Sequence, residues 1–126
     1  MRRILPLSLC SALALPAGAH HSGAAYDRDK RVSVTGTVNS VEWTSPHAWI
    51  KVDAKSEAGA PVTWEFELPS PVTLTRRGWT KSALVPGDKV TVTGAPAREH
   101  PTVAIATSVT DKTGKRLFAG AANSTE

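Results

Sequence analysis

From Val32 onward, apolar and polar residues alternate along the chain, as in strands that turn one face to a core. Val32, Val34, Gly36 and Val38 alternate with Ser33, Thr35 and Thr37, after which Val41 and Trp43 continue one residue out of phase. That slip at Asn39-Ser40, with Gly36 before it, predicts a long first strand that is bulged and strongly bent. Thr44-Ser45-Pro46 reads as a turn. His47 to Ala54 is a second strand, with Ala48, Ile50 and Val52 on one face and His47, Trp49, Lys51 and Asp53 on the other. Beyond a loop containing Gly59, Val62, Trp64, Phe66 and Leu68 alternate with Thr63, Glu65 and Glu67 as a third strand.

The period then changes. Ser70 suits a helix N-cap, Pro71 the first helical position, Arg76 and Arg77 the negative end of the helix dipole, and Gly78 the position just past the end. A short helix of about two turns follows from this pattern, and Thr80 to Leu84 can add one more turn. Pro86-Gly87-Asp88 launches a fourth strand at Lys89 to Gly94. Ala95 to Pro101 is a loop, Val103 to Thr110 a fifth strand, and Leu117-Phe118 a short apolar end.

Three strands, a short helix and two strands, with a long bent first strand, predict a mainly β fold. The expected architecture is a small five-stranded OB-like Greek-key barrel with the helix between strands 3 and 4, and a small open sandwich is its rival. Val34, Val38, Ile50, Val52, Val62, Trp64, Phe66, Leu68, Val90, Val92, Val103 and Ile105 are the residues expected to fill it.

Ahead of the β pattern lies a segment of another kind. Arg2 and Arg3 begin it, Ile4 to Leu15 form an apolar run too short to span a bilayer, and Ala17-Gly18-Ala19 offers small residues for cleavage. Residues 1–19 therefore read as a secretory signal peptide, 20–31 as an extended arm, 32–118 as the barrel domain and 119–126 as a flexible tail. Leu9 before Cys10 argues against lipidation. No later stretch is long and apolar enough for a membrane helix, so the expectation is a periplasmic or secreted product without a membrane anchor, cleaved at Ala19-His20.

Removing that leader changes the composition. The single Cys (Cys10) and single Met (Met1) go with it, leaving no sulfur for disulfides, Cys-based zinc or iron–sulfur sites, Cys nucleophiles or Cu(I) thioether sites. The formal charge of +4 for the whole chain falls to +2 once Arg2 and Arg3 are lost. The remaining charges are interspersed in sign, so no nucleic-acid partner is expected.

Several stretches are distinctive together. The His-His-Ser at the predicted mature start, Val-Glu-Trp-Thr-Ser-Pro-His-Ala-Trp-Ile (Val41 to Ile50), Arg-Arg-Gly-Trp-Thr (Arg76 to Thr80) and Pro-Gly-Asp-Lys-Val-Thr-Val-Thr-Gly (Pro86 to Gly94) resemble a family of small exported bacterial proteins catalogued only as a domain of unknown function. The resemblance implies export and a small β domain. It supplies no activity.

The candidate chemistry rests on imidazole, carboxylate and the terminal amine. Cleavage after Ala19 would free the α-amine of His20 beside its own imidazole, a chelating pair with His21 next in line. Nitrogen ligands of this kind suit Cu(II), then Ni(II) or Zn(II). The arrangement is similar to the N-terminal histidine brace of certain exported copper proteins, which takes a further histidine from the folded domain. His47, at the start of strand two after a Pro turn, is the candidate, with Glu42 as the carboxylate that orients it. Cleavage two residues earlier would expose Gly18-Ala19-His20, a square-planar site for Cu(II) or Ni(II). The competing account is a solvated, mobile His20-His21 and a His47 bonded only to its turn.

Four tryptophans are many for so small a chain. Trp64 shares the parity of Val62 and Phe66 and belongs to the core, and Trp79 packs under the helix. Trp43 and Trp49, with His100 from the loop between strands four and five, form the candidate ligand platform. The first functional expectation is thus a non-enzymatic Cu(II)-binding protein using His20, His21 and His47. The alternative is an OB-like module for a glycan or cell-envelope partner through Trp43, Trp49 and His100. Gly-x-Ser-x-Gly, His-Glu-x-x-His and phosphate-loop patterns are absent from the sequence, so no enzyme is expected.

Overall fold

The computed structural model describes residues 22–119. The predicted signal peptide and its cleavage point, His20, His21 and nearly all of the predicted tail lie outside the described residues. In chain order the elements are α1 (Ser22–Ala25), β1 (Val32–Glu42), β2 (Trp49–Lys55), β3 (Pro61–Glu67), α2 (Pro71–Arg76), β4 (Lys89–Pro96), β5 (Val103–Asp111) and β6 (Arg116–Ala119). Hydrogen bonding runs β3-β2-β1-β4-β5, and a parallel β3–β5 pairing closes the circuit into a five-stranded barrel. This is the OB-like barrel that the sequence predicts, with α2 between strands 3 and 4.

β1 makes closure possible by serving two neighbours. Its first half, Val32 to Thr37, pairs with β4, and its second, Thr37 to Glu42, with β2. Val38 faces Val52 and Ser40 faces Lys51, so Asn39 is the extra residue, at the predicted slip. Its side-chain amide donates to Asp53 Oδ2 at 2.9 Å, fastening the bulge to β2. At the bend a Cβ on Gly36 would lie 2.2 Å from the Asp53 carbonyl oxygen, which is why the position carries no side chain.

The core runs through Val38, Ile50, Val52, Phe66, Leu68, Leu74, Val90, Val92 and Val109, all almost fully buried. Burying each such side chain stabilises the fold by about 2 kcal/mol. Val34, Leu84, Trp79, Ala48, Ala104 and Ala106 complete the cluster, and Trp43 packs against it. Ser70 caps α2 by accepting from the Thr73 N–H at 3.2 Å, as the sequence predicts, and Leu74 fixes that helix over one end of the barrel.

Four expected core residues stand elsewhere. On β5 the buried positions are Ala104, Ala106 and Val109, whereas Val103 and Ile105 face outward and are half-buried. The cause lies in closure: Ala104 pairs with Phe66, whose ring already fills the space between the strands and leaves room for a methyl group. The pairing also skips Thr107, between Gly94↔Ala106 and Thr93↔Ser108, so the inward parity shifts to Val109. Val62 and Trp64 are only half-buried because β5 pairs with Glu65 to Glu67 and leaves the first half of β3 without that neighbour. Trp64 stacks on Phe66 with ring centroids 5.9 Å apart.

Smaller corrections follow from local pairing. His47 precedes β2 rather than beginning it, Thr80 to Leu84 form turns instead of a helical turn, and the apolar end at Leu117 belongs to a sixth strand beside β5. The arm is not simply extended: Ser22–Ala25 make one helical turn before Tyr26 bridges to Ala97. Among the described residues no helix is long and apolar enough to cross a membrane.

Candidate functional site

The last residue of β3 carries the most unusual side chain in the domain. Glu67 pairs with Trp49 on β2 and Ile105 on β5, which places it on the outer face of the barrel, yet it is only 5% exposed. The N-terminal arm covers it. Asp27 N–H donates to the Pro96 carbonyl at 2.8 Å and Arg98 N–H to the Ala25 carbonyl at 2.9 Å, so the arm adds a short rung beside the end of β4. Those bonds lay Tyr26, also 5% exposed, over the β3 end, where its hydroxyl donates to Glu67 Oε2.

The other carboxylate oxygen is also engaged. His47 Nδ1 lies 3.1 Å from Glu67 Oε1 and 3.2 Å from the Leu68 carbonyl oxygen. Both neighbours are acceptors, so Nδ1 carries the proton, and in the neutral ring the lone pair is left on Nε2. The loop that presents His47 is tied down by its own backbone: Ala48 N–H donates to the Pro69 carbonyl at 3.2 Å, and the Ala48 carbonyl accepts from Leu68 N–H at 2.8 Å. The His47 side chain remains 39% exposed. A carboxylate behind Nδ1 and a reachable Nε2 is how proteins orient a histidine that ligates a metal.

Glu67 therefore takes the place the sequence suggests for Glu42. Glu42 instead holds the Lys51 ammonium at 3.4 Å. Nothing in the alternation of Thr63, Glu65 and Glu67 marks one of them as buried, and the only signal was indirect: the chain's single tyrosine stands in an otherwise polar arm.

The candidate ligand platform is divided. Trp49 and His100 line one groove of about 700 Å³ on the outer face, together with Tyr26, Glu65, Glu99 and Val103. Trp43 is not among its lining and packs against the core. His20 and His21 lie outside the described residues, and among the described residues no group of three or more histidine, aspartate or glutamate side chains is arranged to hold a metal ion.

Tyr26 offers a direct readout of arm docking. Burial, the hydrogen bond to Glu67 and the negative charge of that carboxylate, in that order, push its phenol well above the ordinary value. A raised value means that the stabilising contact is fully present below the unfolded-state value of about 10 and is lost as pH rises through the folded-state value. Because the chain has one tyrosine, absorbance at 295 nm titrates this group alone. The native protein is expected to show little tyrosinate at about pH 11, and the urea-unfolded chain a midpoint near 10. A native midpoint near 10 would mean that Tyr26 is not held on Glu67.

A model of a protein family described as a family of unknown function (DUF6152) matches residues 9–106. No curated protein and no solved structure matches the chain.

Proposed function

The chain belongs to that family of unknown function, which passes on no activity, and we propose from its own residues that it is an exported, non-enzymatic protein binding one Cu(II) ion between a processed N-terminus at His20 and His47. The observation that carries this reading is the shared carboxylate: Glu67 holds the arm through Tyr26 with one oxygen and His47 Nδ1 with the other. An arm anchored at Tyr26 leaves six residues back to His20, a reach of at most about 20 Å, and the proposed site needs only that this reach include the His47 ring. In that site, anchoring would raise the effective concentration of the His20 amine and imidazole around Nε2. His21 is the spare ligand in this arrangement.

Copper follows from the donor set. Imidazole nitrogens and an amine without sulfur suit Cu(II) better than Zn(II) or Ni(II). The amine must be unprotonated to bind, which costs little near neutral pH. Calorimetric titration of protein beginning at His20 is expected to give one tight Cu(II) site per chain. Protein retaining Ala19 ahead of His20 loses the chelating amine and is expected to bind roughly tenfold more weakly, or worse. Equal affinities would remove the N-terminus from the site.

A further inference from the structure

The groove that holds Trp49 and His100 lies outside the proposed metal ligands and has a chemistry of its own. Its volume of about 700 Å³ is that of a small-molecule site. Trp49 from β2 and Val103 from β5 line it together with Ala24 and Ala25 of the arm and the loop from Ala97 to His100. Carboxylates enter from two directions, Glu65 from β3 and Glu99 from the loop.

The cations nearby are already committed. Lys51 sits 3.4 Å from Glu42 and 3.9 Å from Glu65, and Arg98 lies 3.6 Å from Asp27. Glu99 has no ion-pair partner among the described residues. Around the groove, Asp27, Glu42, Glu65, Glu67 and Glu99 thus stand against Lys30, Lys51 and Arg98, an excess of carboxylates on a chain whose formal charge is +4. Such a concavity concentrates cations from solution. The indole face and the methyl groups favour an apolar body, and an aromatic ring beside carboxylates favours an alkylammonium over a neutral hydroxylated ligand.

We propose that this groove binds a linear polyamine, with the methylene chain over Trp49 and Val103 and its ammonium groups at Glu65 and Glu99. Charge complementarity selects this ligand over a glycan, which would use the same indole but leave Glu99 without a cation and Glu65 with only the 3.9 Å contact to Lys51.

Spermidine is the probe and 1,8-octanediol its neutral counterpart of similar length. With the indole N–H signal of Trp49 assigned by Trp49→Phe, spermidine is expected to shift it with a Kd of about 0.1–1 mM at low salt. Glu65→Gln and Glu99→Gln should each weaken binding about three- to fivefold, as expected for exposed charge pairs, and added salt should weaken it further. Both substitutions lie at solvent-facing positions, and unchanged melting temperatures confirm that the barrel persists. Octanediol binding as tightly as spermidine, spermidine leaving the Trp49 signal unmoved, or Glu65→Gln and Glu99→Gln retaining full affinity would each overturn the proposal.

Discussion

Replacing Glu67 by alanine is expected to free the N-terminal arm and loosen His47 in a single step. The substitution strands the Tyr26 hydroxyl and the His47 Nδ1 proton, both of which now have a carboxylate oxygen. A buried donor left without an acceptor costs about 1–3 kcal/mol. The Tyr26 hydroxyl pays most of that here, because His47 is partly open to water and keeps the Leu68 carbonyl. A loss near 2 kcal/mol is therefore expected, measured by urea unfolding.

The local effects should be larger than the global one. Arg28, Lys30 and Arg31 follow Tyr26 and are exposed, so trypsin reports directly on whether the arm is docked. Cleavage there should accelerate strongly in Glu67→Ala while the barrel resists. Cu(II) affinity should fall roughly 10- to 100-fold, the range seen when the group orienting a ligating histidine is lost. Unchanged trypsin sensitivity would show that the carboxylate does not hold the arm. Unchanged copper affinity with a released arm would separate the two roles and remove His47 from the metal site.

The second large effect is expected from Gly36→Ala, which tests the barrel rather than the site. A Cβ at this position would lie 2.2 Å from the Asp53 carbonyl oxygen and 2.9 Å from Val52 Cγ1. The first of these is backbone and cannot swing aside. β1 and β2 would have to separate where β1 passes from one neighbour to the other, at a cost of about 3 kcal/mol or more. For a domain of this size that lowers the melting temperature by roughly 10–20 °C. Gly59→Ala is the comparison: Gly59 has a positive φ of 81° but nothing within 4 Å, so it should cost only about 1 kcal/mol. If Gly36→Ala melts with the wild type, the bend does not depend on that close approach.

The barrel was legible because its signals are local. The slip at Asn39, the alternation of β3 and the Ser70 cap each depend on a few consecutive residues, and each is present in the fold. The inward face of β5 was not legible, since it depends on Phe66 lying opposite Ala104 across a parallel pairing of residues far apart in sequence. The site divides in the same way. His47 announces itself after a Pro turn, and Trp49 shares its face. Glu67 looks like any solvent-facing glutamate of an alternating strand until the arm lies across it. Glu42, the nearer carboxylate in sequence, was the natural choice and is held by Lys51.

The two bonds of Glu67 give the site one further property. Tyr26 and Glu67 are 41 residues apart, and His47 and Glu67 meet only through the β2–β3 pairing, so the carboxylate closes two loops of chain at once. The entropy of closing them is met by the barrel as a whole, not by any one segment. Val41 to Ile50 transplanted onto another scaffold would therefore carry the histidine without its orientation. The oriented histidine is a property of the whole domain and cannot be moved as a linear motif.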